Sequence, residues 1–146
     1  LRIELALNQH FKSLMGYHGL VASLRLDEDF KINLLDRDNQ PIGRHSISHG
    51  MRQLAATGLL WALKDVSKAG LPVIVDTPLA RIDRGNQQNL LTRYYPHAAE
   101  QVILLATDSE MNDEKFEAIR GSVYRQCRLD NDTGDDSRFV YETIYE

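Results

Sequence analysis

The sequence predicts an α/β domain in which a partly parallel sheet is flanked by helices and followed by a terminal hairpin. Three observations carry that prediction. Val73-Ile74-Val75 and Val102-Ile103-Leu104-Leu105-Ala106 are short apolar runs of β-forming residues, the pattern of strands buried on both faces. Residues 86–95 read as a helix ended by Pro96, and strand, helix, strand over this distance implies a right-handed parallel crossover. A long stretch without charge, residues 53–63, precedes the first of these strands.

Taken in order, residues 1–15 carry Ile3, Leu7, Phe11 and Leu14 at helical spacing. They read as an amphipathic helix, or as the last turns of a longer one, punctuated by Gly16 and Gly19. Residues 21–26 and 30–35 follow as two strands joined at Asp27-Glu28-Asp29, and residues 36–43, with Asp38-Asn39-Gln40-Pro41, form a turn-rich loop.

Ser48 is a good N-cap for the next helix, and Gly70 followed by Pro72 is a good stop. Met51, Leu54, Ala55, Gly58, Leu59, Ala62, Leu63 and Val66 make one apolar stripe, widened by Leu60 and Trp61. This helix is therefore expected to be central and mostly buried. The strand after it ends abruptly in Asp76, between Pro72 and Pro78. A carboxylate at the C-terminal end of a strand sits where open α/β sheets hold ligands. An aspartate that merely opens a turn is the plainer alternative. If the crossover is parallel, Asp76 and Thr107-Asp108 emerge at one edge of one sheet. Residues 113–120 form a short helix. Residues 122–146 form the hairpin, with an acidic turn over 130–136 that lacks the closing glutamate of a Ca²⁺ loop and reads as solvated.

Composition bounds the function. The 146 residues suit one domain with a real core. A net charge of −4 offers no global basic field for nucleic acid, so a DNA contact needs a local patch or a further part of the protein. A single cysteine, Cys127, excludes an internal disulfide and fits a reducing cytoplasm. No apolar run approaches a membrane span, and the start at Leu1 shows no signal-peptide pattern, which suggests a fragment of something longer. Trp61, Tyr94 and Phe116 are expected in the core. His10, His18, His45 and His97 show no metal-ligand spacing.

Three pieces occur in register: Ile47-Ser48-His49-Gly50-Met51-Arg52-Gln53, then Asp76-Thr77-Pro78-Leu79-Ala80-Arg81-Ile82-Asp83, then Gln101 through Glu110 with Thr107-Asp108-Ser109. Their order and spacing resemble the C-terminal lobe of ABC-type ATPases of the SMC-like class. They look like the signature motif, Walker B running into the D-loop, and the switch region. Asp-Thr-Pro, Thr-Asp and Tyr94-Tyr95-Pro96-His97-Ala98 are most similar to the DndD family, the SMC-like ATPases of bacterial DNA phosphorothioation systems. The resemblance implies one C-terminal ATPase lobe over 1–146. Residues 1–15 would be the re-entry of a coiled coil, and 47–110 the signature, Walker B, D-loop and switch region.

The resemblance also implies ATP and Mg²⁺ as cofactors. Its partners would be an N-terminal lobe of the same protein, a second head paired through ATP, DNA reached through the full-length protein, and other phosphorothioation proteins, with no membrane. Ser48, His49, Gly50, Met51 and Arg52 would meet the γ-phosphate bound to the opposite head. A helix N-terminus, with about +0.5 of an elementary charge and free N–H groups, suits that task. Gly50 would let the second molecule's nucleotide approach, while His49 stands where the family often has glycine. Asp76 would hold Mg²⁺ through a bound water. Asp83 would run along the dimer interface, and Thr107 replaces the switch histidine.

Thr77 stands where the family has a glutamate that acts as general base, and a hydroxyl cannot take that proton near neutral pH. Hydrolysis would be slow, or Asp83, Asp108 or Glu110 would serve instead. Two alternatives remain open: an SMC-like ATPase of repair or phage defence, and a catalytically weak ATP-dependent dimerisation or DNA-binding module. No Gly-x-x-x-x-Gly-Lys-Ser/Thr loop occurs, so this chain alone is expected to show no appreciable ATP turnover.

Overall fold

A computed structural model describes residues 2–16, 20–68, 70–130 and 138–143. Helix α1 spans Arg2–Leu14 and buries Leu7, Phe11 and Leu14, three of the four residues of its predicted stripe. Strands β1 (Ser23–Leu26) and β2 (Ile32–Leu35) pair antiparallel, each starting about two residues later than the apolar pattern suggested. The Asx turns made by Asp27 account for the delay of β2, because its carboxylate accepts the backbone N–H groups of Asp29 and Lys31.

The polar side of α1 meets the exposed edge of β1. Asn8 accepts the Leu24 N–H at 2.8 Å and donates to the Leu24 carbonyl at 2.7 Å, and Glu4 accepts the Leu26 N–H at 2.9 Å. An edge strand presents unpaired backbone groups, and these side chains satisfy two of its donors.

Helix α2 (His49–Ser67) is capped as expected by Ser48, whose Oγ accepts the Met51 N–H at 3.1 Å. It packs along α1 through Leu54, Ala55, Gly58 and Ala62. A Cβ at Gly58 would stand 3.5 Å from the Leu7 Cδ1 and the Phe11 nitrogen, so the missing side chain sets how closely the helices cross. The helix is less enclosed than its sequence suggested: Leu60 is 62% exposed and Trp61 half-buried. Trp61 borders the core and Phe116 is half-buried, whereas Tyr94 lies inside the core.

Strands β3 (Val73–Asp76) and β4 (Val102–Leu105) form a parallel pair in the register Val73 to Val102 through Asp76 to Leu105. Burial on both faces was expected for these strands and is not found. Val75, Val102 and Leu104 pack against the core and Val73 is half-buried, while Ile74 is 63%, Ile103 39% and Leu105 52% exposed. Periodicity could not reveal this, because an apolar run reads alike whether one face or two faces are covered.

The crossover is not one regular helix. Helix α3 (Arg84–Asn89) passes into a π-helical turn, Leu90–Tyr94, and then a 3₁₀ turn, Tyr95–His97. Helix α4 (Asp113–Ile119) is capped by Asn112 and followed by a 3₁₀ turn, Arg120–Ser122. Strands β5 (Arg125–Asp130) and β6 (Arg138–Thr143) form the terminal antiparallel hairpin. Most of its acidic turn, residues 131–137, lies outside the described residues, as do His18 and Gly19. No described helix is long and apolar enough to cross a membrane.

Candidate functional site

The C-terminal ends of β3 and β4 lie side by side, and the ladder continues one residue beyond Asp76, where the Thr77 N–H donates to the Leu105 carbonyl at 3.0 Å. The chain then turns sharply. Thr77 has φ 48° and Arg81 φ 61°, both in the left-handed region. That region is costly for a β-branched residue, of order 1–3 kcal/mol, and such residues concentrate at functional sites.

The turn is held from three directions. Glu110 accepts the Leu79 N–H at 3.0 Å through one carboxylate oxygen. Through the other it accepts the Thr107 N–H at 3.3 Å and hydroxyl at 3.2 Å. Gln87 donates to the carbonyls of Leu79 and Ile82 at 3.0 and 2.9 Å. The Tyr95 hydroxyl donates to the Pro78 carbonyl at 2.6 Å in a buried contact. Glu110 thus ties the turn after β3 to the turn after β4.

The tip of α2 abuts the same turn. A Cβ on Gly50 would stand 2.8 Å from the Arg81 carbonyl oxygen and 3.6 Å from the Ile82 Cα. Gly50 was expected to clear space for another molecule's nucleotide; inside this chain it is needed first for the helix tip to seat on Arg81. Met51 is half-buried there, while Ser48, His49 and Arg52 are exposed. The three sequence pieces, though far apart in the chain, therefore form one continuous surface.

The candidate carboxylates differ in what they are free to do. Asp83 is the N-cap of α3, accepting the Asn86 N–H at 3.1 Å and the Asn86 side-chain amide at 2.6 Å. Glu110 is committed to Leu79 and Thr107. Both are poorly placed as proton acceptors for water, since each carboxylate already serves the fold. The side chains of Asp76 and Asp108 are exposed and make no hydrogen bond or ion pair among the described residues.

Asp76 fits Mg²⁺ in one respect: it offers an accessible hard oxygen donor at a strand end. Among the described residues it belongs to no cluster of three His, Cys, Asp or Glu that would cage a metal. Mg²⁺ is ordinarily held by one or two carboxylates with water and substrate phosphates, so this donor set suits a metal brought with a nucleotide.

Several residues that matter to this geometry carried no sequence signal. Buried Asn86 accepts the Gly16 N–H at 3.1 Å while donating to Asp83. Asn89 donates to the Leu14 carbonyl at 3.0 Å and Arg93 to the Ser13 carbonyl at 3.1 Å, closing the C-terminal end of α1. Isolated polar residues on a short helix look like a solvated face until their partners are known.

No protein-family model and no curated protein matches the chain. Solved structures do. A chain from structural work on ATP-driven dimerisation and DNA-stimulated activation of SMC ATPases superposes with a TM-score of 0.66 at 18% identity, over 98% of this chain and 84% of that one. The fold is that of an SMC head. The Smc head domain of Pyrococcus furiosus, solved with an extended coiled coil and the C-terminal domain of ScpA, gives a TM-score of 0.68 at 16% identity over 98% of this chain. That of Pyrococcus yayanosii, solved with a coiled coil and joint, gives 0.69 at 17% identity over 98% of this chain. This chain spans 35% and 27% of the length of those two chains, respectively.

Proposed function

We propose that this chain is the C-terminal lobe of an SMC-like ATPase, contributing half of two composite ATP sites in a pair of heads. The observation that carries the reading is the free carboxylate of Asp76 at the end of β3, one residue before left-handed Thr77 and on the same surface as the tip of α2. The exposed apolar face of Ile74, Ile103 and Leu105 supports an N-terminal lobe packed against it, which would bring the phosphate loop this chain lacks. Residues 1–15 would then lead in from the coiled coil.

In this reading Asp76 holds Mg²⁺, directly or through water, at the nucleotide phosphates. The metal supplies charge neutralisation where negative charge builds during phosphoryl transfer. Thr77 positions the attacking water through its hydroxyl but does not deprotonate it. Asp108, the free carboxylate on the adjoining turn, is the remaining proton acceptor of the three first considered. It does not directly follow Asp76, where the family's base stands, so turnover is slow. The exposed tip at Ser48 and His49, with Arg52 one turn further on, faces the nucleotide of the opposite head. The cell's cytoplasm is the expected compartment.

The coupling to DNA phosphorothioation rests on the sequence resemblance alone, carried by Asp76-Thr77-Pro78, Thr107-Asp108 and Tyr94-Tyr95-Pro96-His97. DNA and the other phosphorothioation proteins are partners on the same ground. A second reading, a weakly catalytic ATP-dependent dimerisation module, is favoured by Thr77 and Thr107 standing in place of a general base and a switch histidine. Turnover by the chain rejoined to its N-terminal lobe separates the two: ATP-dependent pairing with hydrolysis supports the first, pairing without hydrolysis the second.

A further inference from the structure

The π-helical turn Leu90–Tyr94 is unexplained by the reading above. Single π turns inside helices are rare and frequent at functional sites. This one places two consecutive tyrosines, Tyr94 and Tyr95, in the core at 3% and 6% exposure. Neighbouring residues in a regular helix point about 100° apart, so two adjacent buried rings need a local change of winding or a helix enclosed on both sides.

The rings form a continuous column. His10 of α1 stacks on Trp61 of α2 with centroids 4.0 Å apart and planes 12° from parallel. Trp61 lies 5.1 Å from Tyr94, and Tyr94 5.2 Å from Tyr95, both tilted. Such offset and tilted pairs hold ring orientation as well as position. At the end of the column the Tyr95 hydroxyl meets the Pro78 carbonyl. Proline has no N–H, so its carbonyl is the one backbone hydrogen-bonding group by which Pro78 can be gripped. Leu79 is gripped from the other side by Glu110.

We propose that Tyr95 is the positioning residue for the turn after Asp76, its hydroxyl holding the Pro78 carbonyl so that Thr77 stays in the left-handed region. The proposal concerns the same surface as the ATPase reading and, as to catalysis, rests on it; as to geometry it stands independently. Tyr95 touches no reacting atom. It acts through Pro78 on the direction of the Thr77 hydroxyl and backbone. Burial, with Tyr94 and Glu110 nearby, pushes its phenol well above the ordinary value, which keeps the proton that the contact requires.

The test has two arms. In the unsubstituted chain, NMR should find the Tyr95 hydroxyl proton protected from exchange; a freely exchanging proton overturns the proposal. Tyr95→Phe keeps the ring and removes the donor. It should move the Thr77 chemical shifts and HN–Hα coupling away from their left-handed values, while Tyr94→Phe leaves them in place. Unchanged Thr77 signals in folded Tyr95→Phe overturn it. In the chain rejoined to its N-terminal lobe, Tyr95→Phe should lower kcat at least tenfold with the KM for ATP unchanged. A KM-only effect, or none, in an active enzyme counts against the proposal. If the unsubstituted heads do not hydrolyse ATP, the ATPase reading fails and the NMR arm still decides the role of Tyr95.

Discussion

The Gly50 α-carbon faces the Arg81 carbonyl so closely that a methyl group there would stand 2.8 Å from the oxygen. This contact seats the tip of α2 on the turn that follows β3. It converts two sequence motifs, 31 residues apart (81 − 50), into one surface. Alanine in a helix is intrinsically favoured over glycine by about 1 kcal/mol. Here the neighbour is backbone rather than a flexible side chain, so the clash decides the sign. Gly50→Ala should lose roughly 1–3 kcal/mol of stability, read as a lower denaturant midpoint. A neutral or stabilising effect would show that the tip is not seated as described.

Ser48 has one duty in the fold and a second in the proposed ATPase reading, and a single substitution separates them badly. Its Oγ already caps α2 through the Met51 N–H. Ser48→Arg should therefore block ATP-dependent pairing and also cost about 0.5–2 kcal/mol of stability through the lost cap. Ser48→Asp keeps a capping oxygen while setting a negative charge against phosphate. It should fold normally and still fail to pair, as measured by size-exclusion chromatography with ATP. Normal pairing by Ser48→Asp would remove the tip from the nucleotide surface.

The exposed face of the β3–β4 pair offers a cleaner separation of folding from assembly. Ile74 is 63% exposed, so Ile74→Lys should change the stability of this chain by no more than about 0.5 kcal/mol. Association with the N-terminal lobe should fall sharply, as seen by co-purification or calorimetric titration. Unimpaired association would mean that another surface receives that lobe.

Much of this was legible in the sequence, and the exceptions share a cause. The stripes of α1 and α2 and the Ser48 cap follow from local periodicity and capping chemistry, which depend on near neighbours, and the parallel pairing of β3 with β4 follows from the strand–helix–strand order. The half-exposed sheet did not follow, because which face of a strand is covered depends on residues distant in sequence. The double use of Asp83 and Glu110 as structural acceptors was equally hidden. A carboxylate in a motif reads as catalytic until its hydrogen-bond partners are placed. Asn86, Gln87 and Tyr95 act across turns whose geometry no spacing rule supplies.

The tyrosine core gives a pH dependence whose sign can be worked out. Burial raises the phenols of Tyr94 and Tyr95 above the ordinary value of 10.0. The folded state therefore favours the neutral phenol more than the unfolded state does. That contribution is complete below pH 10 and is lost as the pH rises toward the folded-state values. Stability should fall progressively above about pH 10, with phenolate absorbance appearing together with unfolding. Tyr95→Phe should lessen this alkaline loss. Phenolate signal from both buried tyrosines in a folded chain near pH 10 would contradict it.

The most direct measurement is steady-state ATP hydrolysis by this chain joined to its phosphate-loop lobe, with and without Asp76→Asn. Turnover should appear only after joining. Asp76→Asn should abolish it while nucleotide binding and the fold persist. Equal turnover by Asp76→Asn, or rapid hydrolysis by this chain alone, would contradict a composite site built on Asp76.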